Sequence, residues 1–134
     1  MIEALLDTNI LIYFHRLDRE QLPEQAAIST VTVAELSTGL RAARDAIERA
    51  EREVTLQWAL TKFEPIAFDL DAAIVYGRIA AAVASIGRSP RARVADQLIA
   101  ATAASRGVPL YTTNPGDFAG LEKILPVVPV RRPS

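Results

Sequence analysis

Residues 4–14 read Ala-Leu-Leu-Asp-Thr-Asn-Ile-Leu-Ile-Tyr-Phe, an apolar run interrupted near its centre by a carboxylate and two small polar side chains. The two halves differ in kind. Ile2 to Leu6 is a short continuous apolar stretch, the pattern of a buried strand, and Asn9 to His15 reads as a helix following at once. A strand passing directly into a helix is how an α/β fold begins, and Asp7 stands at the junction.

Working outward, the alternation continues. Ala26 to Thr30 reads as a second strand, and the Ala-, Glu- and Arg-rich region from about Val33 to Lys62 as a long helix, with Gly39 a break near its start. Ile66 to Phe68 gives a third strand after Pro65. Asp69 or Asp71 then opens a helix through Ser85 that Gly87 closes. Ser89-Pro90 has the form of a cap followed by proline in the first turn, which predicts a helix from there to Ser105. Val108 to Thr113 is a fourth strand, Asn114-Pro-Gly116 a turn, and Ile124 to Val130, broken by Pro126 and Pro129, fits only an edge strand. Strands separated by helices call for a mainly parallel central sheet with helices on both faces, a three-layer α/β/α domain. The final Arg131-Arg-Pro-Ser134 reads as a disordered tail.

Composition narrows the chemistry. The chain has 134 residues, half of them hydrophobic, which is one domain's length with apolar mass for a sizeable core. No apolar run approaches the roughly 20 residues that cross a bilayer, and Glu3 and Asp7 stand where a secretory signal would be basic, so the expected compartment is the cytoplasm. There is no cysteine and a single histidine, His15. Disulfides, thiolate chemistry and histidine-rich zinc sites are therefore excluded, and any metal must be held by oxygen. At a formal net charge of −1 the chain is no general polyanion binder, yet all its basic residues but Lys62 and Lys123 are arginine. Arg41 with Arg44, Arg88 with Arg91 and Arg93, and Arg131 with Arg132 at the terminus form three local clusters whose guanidinium forks suit phosphate.

In an open parallel sheet, sites gather at the carboxyl ends of the strands. Asp7 follows the first strand, Glu35 lies in the first turn after the second, and Asp117 comes just past the fourth. Asp96 sits in the N-terminal half of the helix that leads into the fourth strand, and so lies near the same edge. It shares a stripe with Ala92, Ile99, Ala100 and Ala103, so its carboxylate lies along an apolar face where capping has no use for it. Each of the other three has a structural alternative. Asp7, Thr8 or Asn9 could cap the first helix, Thr32-Val-Ala-Glu35 fits a capping box, and Asp117 could cap a short helix at Phe118. Together, four converging carboxylates repel one another unless a cation joins them, and Mg²⁺ or Mn²⁺ suits an all-oxygen site with retained waters. Such a site is fitted to phosphodiester hydrolysis by metal-activated water.

The stretches Leu6-Asp-Thr-Asn-Ile-Leu-Ile12, Ser29-Thr-Val-Thr-Val-Ala-Glu-Leu-Ser-Thr-Gly39, Asp96-Gln-Leu-Ile-Ala-Ala-Thr-Ala103 and Leu110-Tyr-Thr-Thr-Asn-Pro-Gly-Asp-Phe118 resemble, in order and spacing, the blocks of PIN-domain ribonucleases, most closely the VapC toxins of bacterial toxin–antitoxin pairs. The resemblance spans one PIN-like domain, residues 1–130, followed by the tail 131–134. It implies a Mg²⁺- or Mn²⁺-dependent endoribonuclease that cleaves structured RNA, commonly tRNA or rRNA, leaving 5′-phosphate and 3′-hydroxyl ends. It also implies a homodimer and a VapB-type antitoxin that blocks the acidic pocket. Asp7, Glu35, Asp96 and Asp117 fall on the family's acidic quartet, with Asn9, Thr112 and Asn114 in support; Thr113 stands where many relatives carry arginine. Arg41, Arg44, Arg88, Arg91 and Arg93 are candidates for RNA phosphates. Ile10, Leu11, Tyr13, Phe14, Leu56, Trp58 and Leu60 are candidates for an antitoxin groove, or else core. Two other readings stand beside this one. A non-catalytic PIN-like module would have no use for four convergent acids, and a phospho-acceptor receiver domain would need an acceptor Asp after the third strand and a lysine after the last, neither of which is in place.

Overall fold

The computed structural model describes residues 1–133. Five strands form one sheet: β1 (Ala4–Leu6), β2 (Ala26–Ser29), β3 (Pro65–Ile66), β4 (Leu110–Thr112) and β5 (Val127–Pro129). Their order is β3-β2-β1-β4-β5, and every neighbouring pair is parallel. Five helices connect them: α1 (Thr8–Tyr13), α2 (Thr30–Gly39), α3 (Ala46–Lys62), α4 (Leu70–Ser85) and α5 (Val94–Ser105).

Alternation along the strands explains the layering. Leu5 and Ala27 face one side and pack with Ile79 and Val83 of α4 and Ile99, Ala100 and Ala103 of α5. Their neighbours Leu6 and Ile28 face the other side and pack with Ile10 and Leu11 of α1, Leu36 of α2 and Leu56 and Ala59 of α3. Both faces of the central strands are buried, which is why residues 4–6 are continuously apolar. The three-layer arrangement expected from the alternation is the one observed.

Some boundaries differ from the sequence expectation. The helical region 33–62 is two helices: α2 ends at Gly39, a succession of tight turns spans Leu40 to Ala43, and Asp45 starts α3 by accepting the Glu48 N–H at 2.8 Å. Residues 89–93 are turn, not helix, because Arg93 takes a left-handed conformation (φ 54°) and α5 begins only after it. Asp69, not Asp71, caps α4, accepting the Ala72 N–H at 3.0 Å. The last residues are tied to the body: the Arg131 N–H donates to Gln21 Oε1 at 2.6 Å, and the Arg132 guanidinium donates to Asn114 Oδ1. Residues 131 and 132 are therefore anchored, while Ser134 lies outside the described residues.

Among the described residues no helix is long and apolar enough to cross a membrane. One glycine fixes how the C-terminal segment meets α4. Gly120 has φ +90°, and a Cβ there would stand 3.0 Å from Ile86 Cδ1. Gly120→Ala incurs left-handed strain of about 1–2 kcal/mol plus that contact, so the melting temperature falls by roughly 5 °C, measurable by thermal denaturation.

Candidate active site

The strand order places the site. The chain runs outward from β1 to β2 and β3, then returns to the other side of β1 for β4 and β5, so the switch point lies between β1 and β4. A crevice opens beyond the carboxyl ends of those two strands. Asp7 leaves one and the Thr112–Asp117 segment leaves the other.

Asp7 is 3% exposed, and both of its carboxylate oxygens are held. Oδ1 accepts the Thr8 N–H at 2.9 Å, so Asp7 does cap α1. Oδ2 accepts the Thr112 hydroxyl at 2.8 Å. That hydroxyl in turn accepts the Asn114 N–H at 2.9 Å, so the backbone after β4 aims its proton at Asp7. Asn114's side chain is turned toward Arg132, and its contribution is the backbone group. Asn9 lines the same cleft as Asp7.

Glu35 is freed from the capping role its spacing suggested, because Ser29 caps α2 by accepting the Val31 N–H at 2.9 Å. Thr32 lies buried inside the helix, not at its cap. The Thr8 hydroxyl gives its single proton to Glu35 Oε1 at 2.6 Å, so the Thr32 hydroxyl, 3.0 Å away, must donate to Thr8. A relay from Thr32 through Thr8 thus orients the Glu35 carboxylate from the first turn of α1.

Asp96 opens α5 with its side chain 19% exposed. Burial and then the charges of Asp7, Asp117 and Glu35 push its pKa up to about 7, opposed by Arg93. Asp7 is likewise raised, by burial first and by Glu35 and Asp117, against the hydrogen bonds from Thr112 and Thr8. Asp117 lies within a 3₁₀ turn, Pro115–Phe118, and does not cap it, since Asn114 holds that position. Its Oδ2 pairs with Arg93 Nη1 at 3.1 Å, and the same nitrogen is 3.7 Å from Asp96 Oδ2. Arg93 is the cation standing between two of the four acids.

Asp7, Glu35 and Asp96 line one cleft of about 610 Å³ with Thr8, Asn9 and residues of α3. Asp117 lines an adjoining cleft with Arg88, Arg93 and Gln97. Among the described residues no three acids are drawn together into a ready-made metal cage. Arg93 stands between Asp96 and Asp117.

Of the five candidate arginines, Arg88 and Arg93 meet at the adjoining cleft. Arg44 instead holds Glu48 at 2.7 Å, Arg41 lies on the exposed turn after α2, and Arg91 is exposed on the 89–93 turn. Ile10, Leu11, Phe14 and Leu56 are core residues and offer no docking surface. Trp58 packs on Phe14, His15 and Phe63 and is partly buried, while Leu60 is 40% exposed. Glu48, Glu51 and Arg52 of α3 line the acid cleft and escaped the sequence reading. The signal was Asp45-Ala-Ile-Glu48, a cap followed three residues later by glutamate, which marks a new helix start.

The PIN domain family model matches residues 4–123. The chain belongs to the PIN-domain family. It is 38% identical over 122 residues to Ribonuclease VapC5 of Mycobacterium tuberculosis, covering 89% of this chain and 87% of that one. Its fold matches the crystal structure of VapBC-5, a toxin–antitoxin system from Mycobacterium tuberculosis, with a TM-score of 0.82, 37% identity and coverage of 98% and 99% of the two chains. FitAcB from Neisseria gonorrhoeae matches with a TM-score of 0.74 at 26% identity over 92% of this chain and 95% of that one. This PIN domain is thus of the VapC type over essentially its whole length.

Proposed function

We propose that this PIN domain is a divalent-metal-dependent endoribonuclease, the toxin of a toxin–antitoxin pair, cleaving structured RNA such as tRNA or rRNA. The observation that carries the reading is the cleft itself: Asp7, Glu35 and Asp96, from distant parts of the chain, line it together, and Arg93 links Asp96 to Asp117 at its edge. Its donors are all hard oxygens, and the acids' conflict with one another is the kind a dication relieves. The residues therefore fit Mg²⁺, with Mn²⁺ as substitute.

Asp7 and Asp96 would be the principal ligands, with Glu35 and Asp117 completing the site. When bound, the ion supplies charge neutralisation at the phosphoryl oxygens and acidifies a water. The chain's own residues do the positioning. Thr112 and the Thr8 N–H fix the Asp7 carboxylate in one rotamer, and the Thr32–Thr8 relay fixes Glu35. Glu35 and Asp117 orient the attacking water, whose oxygen joins phosphorus as the 3′ oxygen departs, leaving 5′-phosphate and 3′-hydroxyl ends. Arg88 and Arg93 line the cleft beside the acids, and we assign the RNA phosphates to them.

The matched toxin–antitoxin complexes support a VapB-type antitoxin as partner; the reading extends to a basic antitoxin side chain in the acidic cleft and a cytoplasmic homodimer of this chain. Incubating the purified protein with total RNA tests the activity. Cleavage appears with Mg²⁺ or Mn²⁺, stops on EDTA and yields 3′ ends that a ligase accepts; cleavage indifferent to EDTA would overturn the metal-dependent reading.

A further inference from the structure

Beside the acid cleft lies a second one, of about 440 Å³, between the 89–93 turn, the start of α5 and the 3₁₀ turn after β4. Its floor is apolar, formed by Val83, Phe118 and Leu121, all buried. Two guanidinium groups stand over it. Arg88 donates through Nη1 to the Gly116 carbonyl at 2.9 Å. Arg93 makes both its acid contacts through Nη1 alone, which leaves its other nitrogens free to donate.

The decisive group is Gln97, 5% exposed on the wall of this cleft. Its Nε2 donates to the Ala92 carbonyl at 2.8 Å, which fixes the orientation of the carboxamide. Its Oε1 is buried and accepts nothing. A buried acceptor without a donor is unfavourable, and the Ala92 hydrogen bond uses only the nitrogen of the amide. The unpartnered oxygen on this wall is the group that a donor on an incoming ligand would satisfy.

We propose that this cleft is a nucleotide subsite, which takes the residue next to the cleaved phosphate and prefers a base bearing an amino group. An aromatic base fits the apolar floor, Arg88 and Arg93 meet its phosphate, and an exocyclic N–H donates to Gln97 Oε1 as the carboxamide turns toward the cleft. Adenine, cytosine and guanine carry such an amino group. Uracil has only N3–H, flanked by two carbonyl acceptors. The assignment of the subsite to RNA rests on the ribonuclease reading above.

The test uses the whole protein in EDTA, so that no cleavage chemistry is involved. Adenosine, cytidine, guanosine and uridine 5′-monophosphates and ribose 5-phosphate are titrated separately and followed by amide chemical shifts. The three amino-bearing nucleotides bind roughly fivefold more tightly than the uridine nucleotide, the worth of one added hydrogen bond. Gln97→Leu and Gln97→Met, each checked by its melting curve, remove that preference and bind all four nucleotides as wild type binds uridine 5′-monophosphate. Arg88→Ala weakens all four by a common factor. Equal binding of the four by wild type, or a preference that survives both Gln97 substitutions, would overturn the proposal. Selectivity that persists in a protein cleaving no RNA under any condition would fail the ribonuclease reading and leave the nucleotide site standing.

Discussion

An Asp96→Asn variant loses more than about a hundredfold of its RNA cleavage, while its metal-free form melts at a higher temperature than wild type at pH 8. The two effects have opposite signs for one reason. Asp96 is desolvated and faces Asp7, Asp117 and Glu35, so its ionised form is disfavoured in the folded chain until a cation joins it. Asparagine keeps the shape, removes the repelling charge and with it the ligand. Loss of cleavage therefore cannot be attributed to unfolding. The threshold is set by comparison with an outer partner: Thr8→Val, which removes only the hydroxyl that orients Glu35, falls within the 10–100-fold loss usual for such groups. Cleavage and differential scanning measurements on the two variants check the ordering. An Asp96→Asn protein that cleaves as well as the Thr8→Val protein would remove Asp96 from the site.

Much of this arrangement could be read in the chain. The strands announced themselves because the central ones are buried on both faces, so that residues 4–6 and 26–29 carry almost no polar side chains. Placing acids at the carboxyl edge needed only the strand–helix alternation and the direction of each helix. Asp96 stood out as a carboxylate on an apolar stripe of a helix begun at Ser89, whereas the late start of α5 leaves Ala92 outside the helix and puts Asp96 in its first turn, where an acid also has a local use.

What was not readable depends on contacts distant in sequence. Proline at 90 suits a turn as well as a first helical residue, and its neighbours could not show which. The outcome is a left-handed Arg93, which starts α5 late and brings its guanidinium between Asp96 and Asp117. The split between α2 and α3 was hidden by helix-favouring residues on both sides of the turn, and with it the approach of Glu48, Glu51 and Arg52 to the cleft. The Thr32–Thr8–Glu35 relay joins α1 to α2, which are separate elements. Thr8 read from sequence as a candidate cap of the first helix, and its hydroxyl instead acts on another helix. In each case local preference permitted several outcomes and tertiary contact selected one.

Binding of Mn²⁺ weakens about tenfold for each pH unit below 7 and is nearly flat above it, so that affinity at pH 5 is about a hundredfold lower than at pH 8. The slope follows from Asp96, whose pKa of about 7 means that below this pH a proton must leave before the carboxylate can act as a ligand. Asp7, also raised, steepens the fall toward lower pH. The metal-free protein shows the complementary trend. Between the ordinary carboxylate range and pH 7 the folded chain holds a proton on Asp96 that the unfolded chain has released, so the slope of stability with pH is negative there. Stability from this group is lost as pH rises through that window, and Asp96→Asn removes its contribution to the trend, leaving that of Asp7. Saturating Mn²⁺ flattens it, because the metal-bound folded chain and the unfolded chain then both hold Asp96 ionised across the window, and the stabilisation the ion adds over the metal-free protein grows as pH rises. Calorimetric titrations from pH 5 to pH 8, with melting curves at the same pH values with and without Mn²⁺, measure both slopes. Equal Mn²⁺ affinity at pH 5 and pH 8 would mean that no protonated carboxylate is displaced, and Asp96 would then not be a ligand.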